Sequence, residues 1–456
     1  MSKPQNLSQV RKIIVYIVFA AICSLTSTIP AVPARATEAM PDLEAMLSRA
    51  KSYTVEIRSK LYIGMNEDSS GLWEGTGFIV NMEKGWILTN AHVVGRSPGD
   101  VYVELFDKTE IEAERIFVDS YFDLAVIKVD PAALPSAVAQ AELDCSSLPT
   151  QGTPVVAYGN PGNFRFSATT GIVSDIAWMF PFEYIHTDAT INHGNSGGPL
   201  LNARTGKVVG IVTASHEPEE DSHKTATGLS TPAVHACKIM DLMKSEGDTR
   251  YKRLPFDVAY DFKTNQPVIM GDIPPNVRFN PSDLIVAVNN EPVRNLAHLT
   301  TLLRGKEMQA RVKALRRSTT IEGRMEQEEF IENLVDLEVV ESPLKDRALS
   351  VSGVVFARTW GMDRANPIAD QNILVTDLLD TEVESFGVHV LMTLSSLNGK
   401  RFDNLDTLHD YLEKLDESAE LRLIVCDEEH REKFDRDCRA VTLFKQDLAW
   451  HSPTEE

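Results

Sequence analysis

Short runs of Val, Ile, Thr, Phe and Leu, four to eight residues long and separated by glycine-rich turns, recur between about residues 53 and 242 of the chain. They include "GTGFIV" (75–80), "GWILTNAHVV" (85–94), "DLAVIKV" (123–129), "TPVVAYG" (153–159) and "KVVGIVTA" (207–214). Runs of this length with little helical spacing predict an all-β barrel or sandwich. Beyond about residue 254 the pattern changes to mixed helix and strand, and it repeats. A shift of 109 residues lays Asn289 on Asn398, Val293 on Phe402, Asn295 on Asn404, Leu296 on Leu405, Leu299 on Leu408 and Leu303 on Leu412. Each copy reads as a strand, an Asn-turn, a short amphipathic helix starting near Asn295 or Asn404, and another strand, so one small α+β module is predicted twice.

The amino terminus has a third pattern. Lys3, Arg11 and Lys12 precede an apolar stretch over 13–29, and Ala34-Arg35-Ala36 supplies small residues for a signal peptidase. This predicts an export signal over 1–36, cleaved after Ala36, with an uncleaved membrane anchor as the alternative. The expected organisation is therefore a signal peptide (1–36), a β-barrel domain (37–252) and two modules (253–345 and 346–456).

Composition narrows the partners. The chain has 456 residues and a formal net charge of −21, although its first 36 residues carry only basic charges. A body this acidic repels phosphate backbones, which excludes nucleic acid as an expected partner. Of the five cysteines, Cys23 falls in the export signal. Cys145, Cys237, Cys426 and Cys438 remain, an even number suited to an oxidising compartment. Cys426 and Cys438 flank a charged segment between two apolar strands, so a disulfide across that hairpin is expected. No Cys/His cluster has metal-ligand spacing, and neither metal nor cofactor is expected.

Candidate chemistry lies in "HTDATINHGNSGGPLLN" (186–202), where glycines surround Ser196. A serine hydroxyl needs a base within hydrogen-bond reach and donors aimed at the oxyanion. Glycines allow a tight turn whose Gly194 and Ser196 amides point into one hole. His92 directly follows a predicted strand and Asp123 begins another, giving the chain order His, Asp, Ser. Asp119 and Asp188 are alternative acids. Asp123 is preferred because it abuts an apolar strand, whereas Asp188 lies too near Ser196 in sequence to sit behind the imidazole.

These motifs, together with "YGNPGNF" and "TTGIVSDI", resemble the HtrA/Deg family of trypsin-fold serine proteases over most of residues 70–235. The resemblance implies a chymotrypsin-like double β-barrel followed by two PDZ-like domains, making this an all-β protease domain with α+β appendages. It implies a triad of His92, Asp123 and Ser196 and an oxyanion hole at Gly194 and Ser196 with Asn195 between them. It further implies a periplasmic, ATP-independent endopeptidase acting on unfolded or misfolded polypeptides, peptide ligands for the PDZ-like domains, and a trimer-based homo-oligomer. A chaperone or adaptor with a silent barrel, and a regulatory protease cutting one signalling partner, are the competing readings. Thr190 occupies the position six residues before the nucleophile, where trypsin-like sites selecting Lys or Arg carry an acid. An apolar substrate pocket formed by Thr190, Ile191 and Leu229 is therefore expected. Departures from the family pattern are His193 before the nucleophile, the segment "ATGLSTP" (226–232), the acidic loop 215–224, and modules without a clear peptide-carboxylate loop.

Overall fold

The computed structural model describes residues 42–65, 68–162, 164–179, 182–216, 227–261, 264–319, 325–358, 373–426 and 438–453. The expected export signal and the charged segment 427–437 lie outside the described residues. Helix α1 (Leu43–Tyr53) opens this part of the chain, its first turn capped by the Asp42 carboxylate, which accepts the Glu44 N–H. Six strands follow: β1 (Thr54–Leu61), β2 (Gly71–Asn81), β3 (Trp86–Thr89), β4 (Gly99–Glu104), β5 (Glu110–Asp119) and β6 (Leu124–Lys128). They close into a barrel in the order β1-β2-β3-β6-β5-β4. In β5 the alternation Glu110, Glu112, Glu114 out and Ile111, Ala113, Arg115 in puts the period-2 pattern directly onto the barrel wall. A second barrel, β10-β11-β12-β9-β8-β7, uses β7 (Pro154–Gly159), β8 (Ser167–Met179), β9 (Phe182–Thr187), β10 (Pro199–Asn202), β11 (Val208–His216) and β12 (Thr227–Pro232). Of the barrel or sandwich left open by the strand pattern, the structure has the double barrel that the resemblance implied. Between β3 and β4 lies the one-turn helix α2 (Ala91–Val94), and after β12 comes α3 (Ala233–Lys244).

The first module contains β13 (Tyr251–Arg253), β14 (Asp257–Tyr260), β15 (Pro267–Met270), β16 (Leu284–Val288), β17 (Glu291–Pro292), helix α4 (Leu296–Leu302), β18 (Gln309–Thr319), β19 (Met325–Asp336) and β20 (Glu338–Val340). The second contains β21 (Ala348–Val351), β22 (Val354–Arg358), β23 (Ile373–Leu378), α5 (Thr381–Ser385), β24 (Thr393–Leu397), α6 (Leu405–Glu413), β25 (Glu420–Cys426), β26 (Cys438–Phe444) and β27 (Ala449–His451). The repeat seen in the sequence is a repeat of geometry. Asn289 and Asn398 both have φ of 50°, and their side-chain oxygens accept the N–H of Arg311 and Arg422 at 2.8 and 2.7 Å. Asn295 and Asn404 cap α4 and α6 by accepting the His298 and Thr407 N–H groups.

The modules differ from expectation at their crevices. The strands β15 and β23 both lie inside their sheets, and neither is a sheet edge. In the first module the edge is β14, and Tyr121 from the first barrel reaches into the crevice that β14 makes with Leu296 and Leu299 of α4. In the second module β22 pairs with β21, which in turn pairs with β27. Leu349 and Val351 of β21 join one apolar core with Leu405, Leu408 and Leu412 of α6. An extended peptide adds to an unpaired strand edge beside a helix; in the second module β21 takes that place along β22, whereas in the first Tyr121 lines the crevice and the outer edge of β14 has no partner strand among the described residues.

Both modules are anchored on the first barrel. Arg304, after α4, forms a buried ion pair with Asp119 at the end of β5, and the side chains are 1% and 4% exposed. Removing one partner of such a pair typically costs about 3–5 kcal/mol, because it strands the other charge. Ile63 and Met65, which follow β1, form a small core with Ala348, Val355 and Ala357 of the second module. Among the described residues no helix is long and apolar enough to cross a membrane.

Disulfides join Cys145 to Cys237, 92 residues apart, and Cys426 to Cys438, which face each other across β25 and β26. Non-reducing peptide mass spectrometry of protein produced in an oxidising compartment should recover both pairs. Replacing Cys145 and Cys237 by serine should lower stability by on the order of 3 kcal/mol, read from denaturant unfolding; an unchanged midpoint would contradict this contribution.

Candidate active site

His92 is placed by the turn that leaves β3. Asn90 precedes α2, and its side-chain amide donates to the Asp123 carbonyl at 2.8 Å and to Thr213 Oγ1 at 3.3 Å, tying the two barrels together beside the imidazole. Asp123 sits immediately before β6 with φ of 52°, in the left-handed region that a non-glycine residue occupies only under local constraint. That turn directs the carboxylate back at His92. Asp123 Oδ1 accepts the His92 backbone N–H at 3.0 Å, and Oδ2 lies 2.6 Å from His92 Nδ1. With Nδ1–H donated to Asp123, the tautomer leaves Nε2 as the acceptor on the other side of the ring.

The charges follow this geometry. Burial disfavours the imidazolium, but the charge and hydrogen bond of Asp123 outweigh it, with Asp68 adding to them and Arg96 opposing them, and His92 titrates above its ordinary value. Burial likewise raises Asp123, but His92, Arg96 and the His92 N–H hold its carboxyl below the usual carboxylate range. The alternative acids are otherwise engaged. Asp119 accepts the Tyr121 and Phe122 N–H groups and pairs with Arg304. Asp188 is exposed and caps the Ile172 N–H at 2.7 Å.

Ser196 follows a turn that only glycine can form on both sides. Gly194 and Gly197 have φ of 96° and 84°, and a Cβ would lie 2.3 Å from the Asn160 oxygen at the first and 2.0 Å from the Thr76 oxygen at the second. The His193 carbonyl accepts the Gly162 N–H at 3.1 Å. Across the trans peptide the Gly194 N–H therefore points the opposite way. Among the described residues neither the Gly194 nor the Ser196 N–H has an acceptor, whereas the Asn195 N–H donates to the Asn192 carbonyl at 3.0 Å. The pair of open donors is Gly194 and Ser196. Asn195 shapes the turn without offering a donor, which corrects its expected place in the hole.

The Ser196 hydroxyl donates to the Thr213 carbonyl at 3.1 Å. Its rotamer is thus turned toward β11, while His92 and Ser196 line one cavity of about 560 Å³. Of the three expected pocket residues, only Ile191 lines this cavity. Its Cδ1 lies 2.3 Å from where a Gly228 Cβ would be, so the isoleucine fills the space above that glycine. Thr190 is exposed with its carbonyl bonded to Thr169 Oγ1, and Leu229 is buried in β12; neither is among the lining residues. The reason is the turn at 188–193, which swings the Ile191 side chain inward.

Sequence reasoning missed Thr76. Its Oγ1 donates to the Gly194 carbonyl at 2.6 Å and accepts the Asn160 N–H, and its own N–H donates to the Ser196 carbonyl at 2.8 Å. A threonine inside "GTGFIV" reads as an ordinary strand residue, and only the packing of one barrel on the other shows that it clamps the serine turn.

A trypsin-like peptidase domain model matches residues 75–211. The chain is 29% identical over 390 residues to a probable periplasmic serine endoprotease DegP-like of Hahella chejuensis, covering 77% of each chain. It is 38% identical over 182 residues to the putative serine protease HhoA of Synechocystis sp., covering 38% of this chain and 44% of that one. To the serine endoprotease DegS of Salmonella typhimurium it is 31% identical over 240 residues, 48% of this chain and 65% of that one. Its fold is similar to that of a solved HtrA-type protease, AlgW with tripeptide, at a TM-score of 0.50 and 22% identity, covering 66% of this chain and 99% of the other. A two-barrel body with an aspartate-bound histidine and a glycine-turned serine at its junction, together with relatives of this kind, supports likeness to the HtrA/Deg family of trypsin-like serine endoproteases.

Proposed function

We propose that His92, Asp123 and Ser196 act as a catalytic triad with the Gly194 and Ser196 amides as oxyanion hole, in an exported, periplasmic endopeptidase for unfolded or misfolded polypeptides. The observation that carries this reading is the two-point grip of Asp123 on His92 beside Ser196 in one cavity. In this reading Ser196 Oγ leaves the Thr213 carbonyl and donates instead to His92 Nε2 across the cavity they share. Oγ then attacks the scissile carbonyl, its proton passes to Nε2, and the carbonyl π electrons move to the oxygen. That oxyanion develops toward the Gly194 and Ser196 N–H groups. Collapse of the intermediate breaks the C–N bond as the imidazolium, stabilised by Asp123, protonates the leaving amine. Water then repeats the sequence on the acyl-enzyme and releases Ser196. Periplasmic placement is supported by the names of the relatives and by two disulfides. An assembly of several copies, trimer-based as in the family resembled, belongs to the same proposal.

The silent-barrel alternative draws on the Ser196–Thr213 hydrogen bond, and one experiment separates the two. With an unfolded casein-like substrate, Ser196→Ala and His92→Ala should each lose nearly all hydrolysis, roughly 10⁶-fold. Equal proteolysis by wild type and Ser196→Ala would refute the triad.

The pH dependence has a definite sign. His92 must be neutral to accept the serine proton, and Asp123 raises its titration point. Activity should therefore fall, as pH is lowered, at a value above the ordinary histidine pKa of about 6.5. An acid limb at or below that value in kcat/KM would contradict the Asp123 contact.

Specificity follows from Ile191. Among the described residues the atoms nearest the space over Gly228 are apolar ones of Ile191 and Thr187, and Ile191 shortens it. Burying a lysine or arginine side chain there without a partner is costly. Cleavage should fall after small or medium aliphatic residues such as Val, Ala or Ile. Product maps dominated by Lys and Arg would overturn this assignment.

A further inference from the structure

Beside the triad stands an ion pair that the mechanism above does not use. Asp68 and Arg96 are joined at 3.3 Å, with side chains 5% and 7% exposed, and both line the cavity that holds His92, Asp123 and Ser196. Asp68 also accepts the backbone N–H of Arg96 and the N–H and Oγ of Ser97. Arg96 Nε donates to Ser120 Oγ at 2.8 Å, three residues before Asp123. The pair therefore links the residues just after the histidine helix to the turn that aims the aspartate.

The second module holds the pair from behind. Asp377 of β23 accepts the Gly64 N–H at 2.6 Å, and the flanking Ile63 and Met65 are buried against β21 and β22. The Met65 N–H donates to Ser97 Oγ at 2.9 Å, and that hydroxyl lies within reach of the Met65 carbonyl and of Asp68. Behind the same loop, buried Arg115 donates to the carbonyls of Val94, Ser97 and Gly99, and also to Pro453 beyond β27. Two separate parts of the second module thus end on the segments that carry Asp68 and Arg96.

We propose that Asp68 and Arg96 are positioning residues for His92 and Asp123, and that the second module serves catalysis as their brace. The proposal rests on the triad reading above. In it, β21 and β27 cover the edge of β22 because the module's task is to fix the wall of the active site, and Asp377 is the contact through which it does so. Among the described residues, the charges facing His92 are Asp123 from the start of β6, Arg96 from the loop after α2 and Asp68 from the segment before β2, and His193 and Tyr184 are the other titratable groups lining the cavity. Arg96 opposes the imidazolium and Asp68 favours it. Removing either must therefore move the histidine in opposite directions, a result that a merely structural role does not produce.

The test is kcat and KM against pH, measured on the full chain with a short chromogenic peptide. Arg96→Gln should shift the acid limb to higher pH and lower kcat about tenfold, with KM within about twofold, as expected when reacting groups are misplaced. Asp68→Asn should shift the limb to lower pH, and Arg96→Lys should return it toward wild type. Asp377→Ala, remote from the chemistry, should lower kcat about threefold or more at unchanged KM. Should Arg96→Gln fail to fold, Arg96→Lys and Asp68→Asn decide the question. Limbs that stay at the wild-type position in both Arg96 and Asp68 variants would overturn the positioning role, and a wild-type kcat in Asp377→Ala would overturn the brace. Failure of the triad reading is distinct, since it would show as wild-type activity in Ser196→Ala.

Discussion

The grip of Asp123 on His92 is the contact on which the rest of the molecule converges. One carboxylate binds the histidine twice, at its backbone N–H and at Nδ1, and does so from a left-handed residue at the mouth of a strand. A non-glycine residue is held at positive φ only if its surroundings over-determine it. Here they come from four sides. Asn90 fixes the Asp123 carbonyl, the buried Asp119–Arg304 pair holds the preceding turn, Arg96 ties down Ser120, and Phe122 stacks on His235 of α3 at 4.3 Å.

This arrangement changes the meaning of the two C-terminal modules. Each reaches the turn before Asp123 by a different route, the first through Arg304 and Tyr121, the second through residues 61–65 and Asp68. Breaking a buried ion pair by removing one partner is worth about 3–5 kcal/mol, which is comparable with a third or more of a domain's whole stability. Contacts of that size act on the barrel as structural walls. The same packing makes Tyr121 a wall of the first crevice and lays β21 along β22 in the second module, so there the strand edge that would take up an extended peptide is paired by the chain itself.

Much of this was legible in the sequence because it rests on local pattern. The period-2 strands, the Asn-turns at 289 and 398, the helix caps at 295 and 404, and the order His92, Asp123, Ser196 all follow from rules that act over a few residues. What the sequence did not disclose depends on packing between distant segments. Thr76 clamps the serine turn from another barrel, Asp68 and Arg96 meet across 28 residues, and Asp377 reaches Gly64 across 313. The inward swing of Ile191 over Gly228, with Thr190 left outside, likewise follows from the shape of one turn and from no propensity of either residue.

The central claim is that this geometry makes Ser196 a nucleophile. A fluorophosphonate probe tests it directly, because attack by an activated serine forms an O–P bond and expels fluoride, leaving a covalent mass that survives digestion. The account predicts one adduct per chain, on the peptide carrying Ser196, and none in His92→Ala. Labelling that is absent in the wild type, or that persists undiminished in His92→Ala, would contradict it.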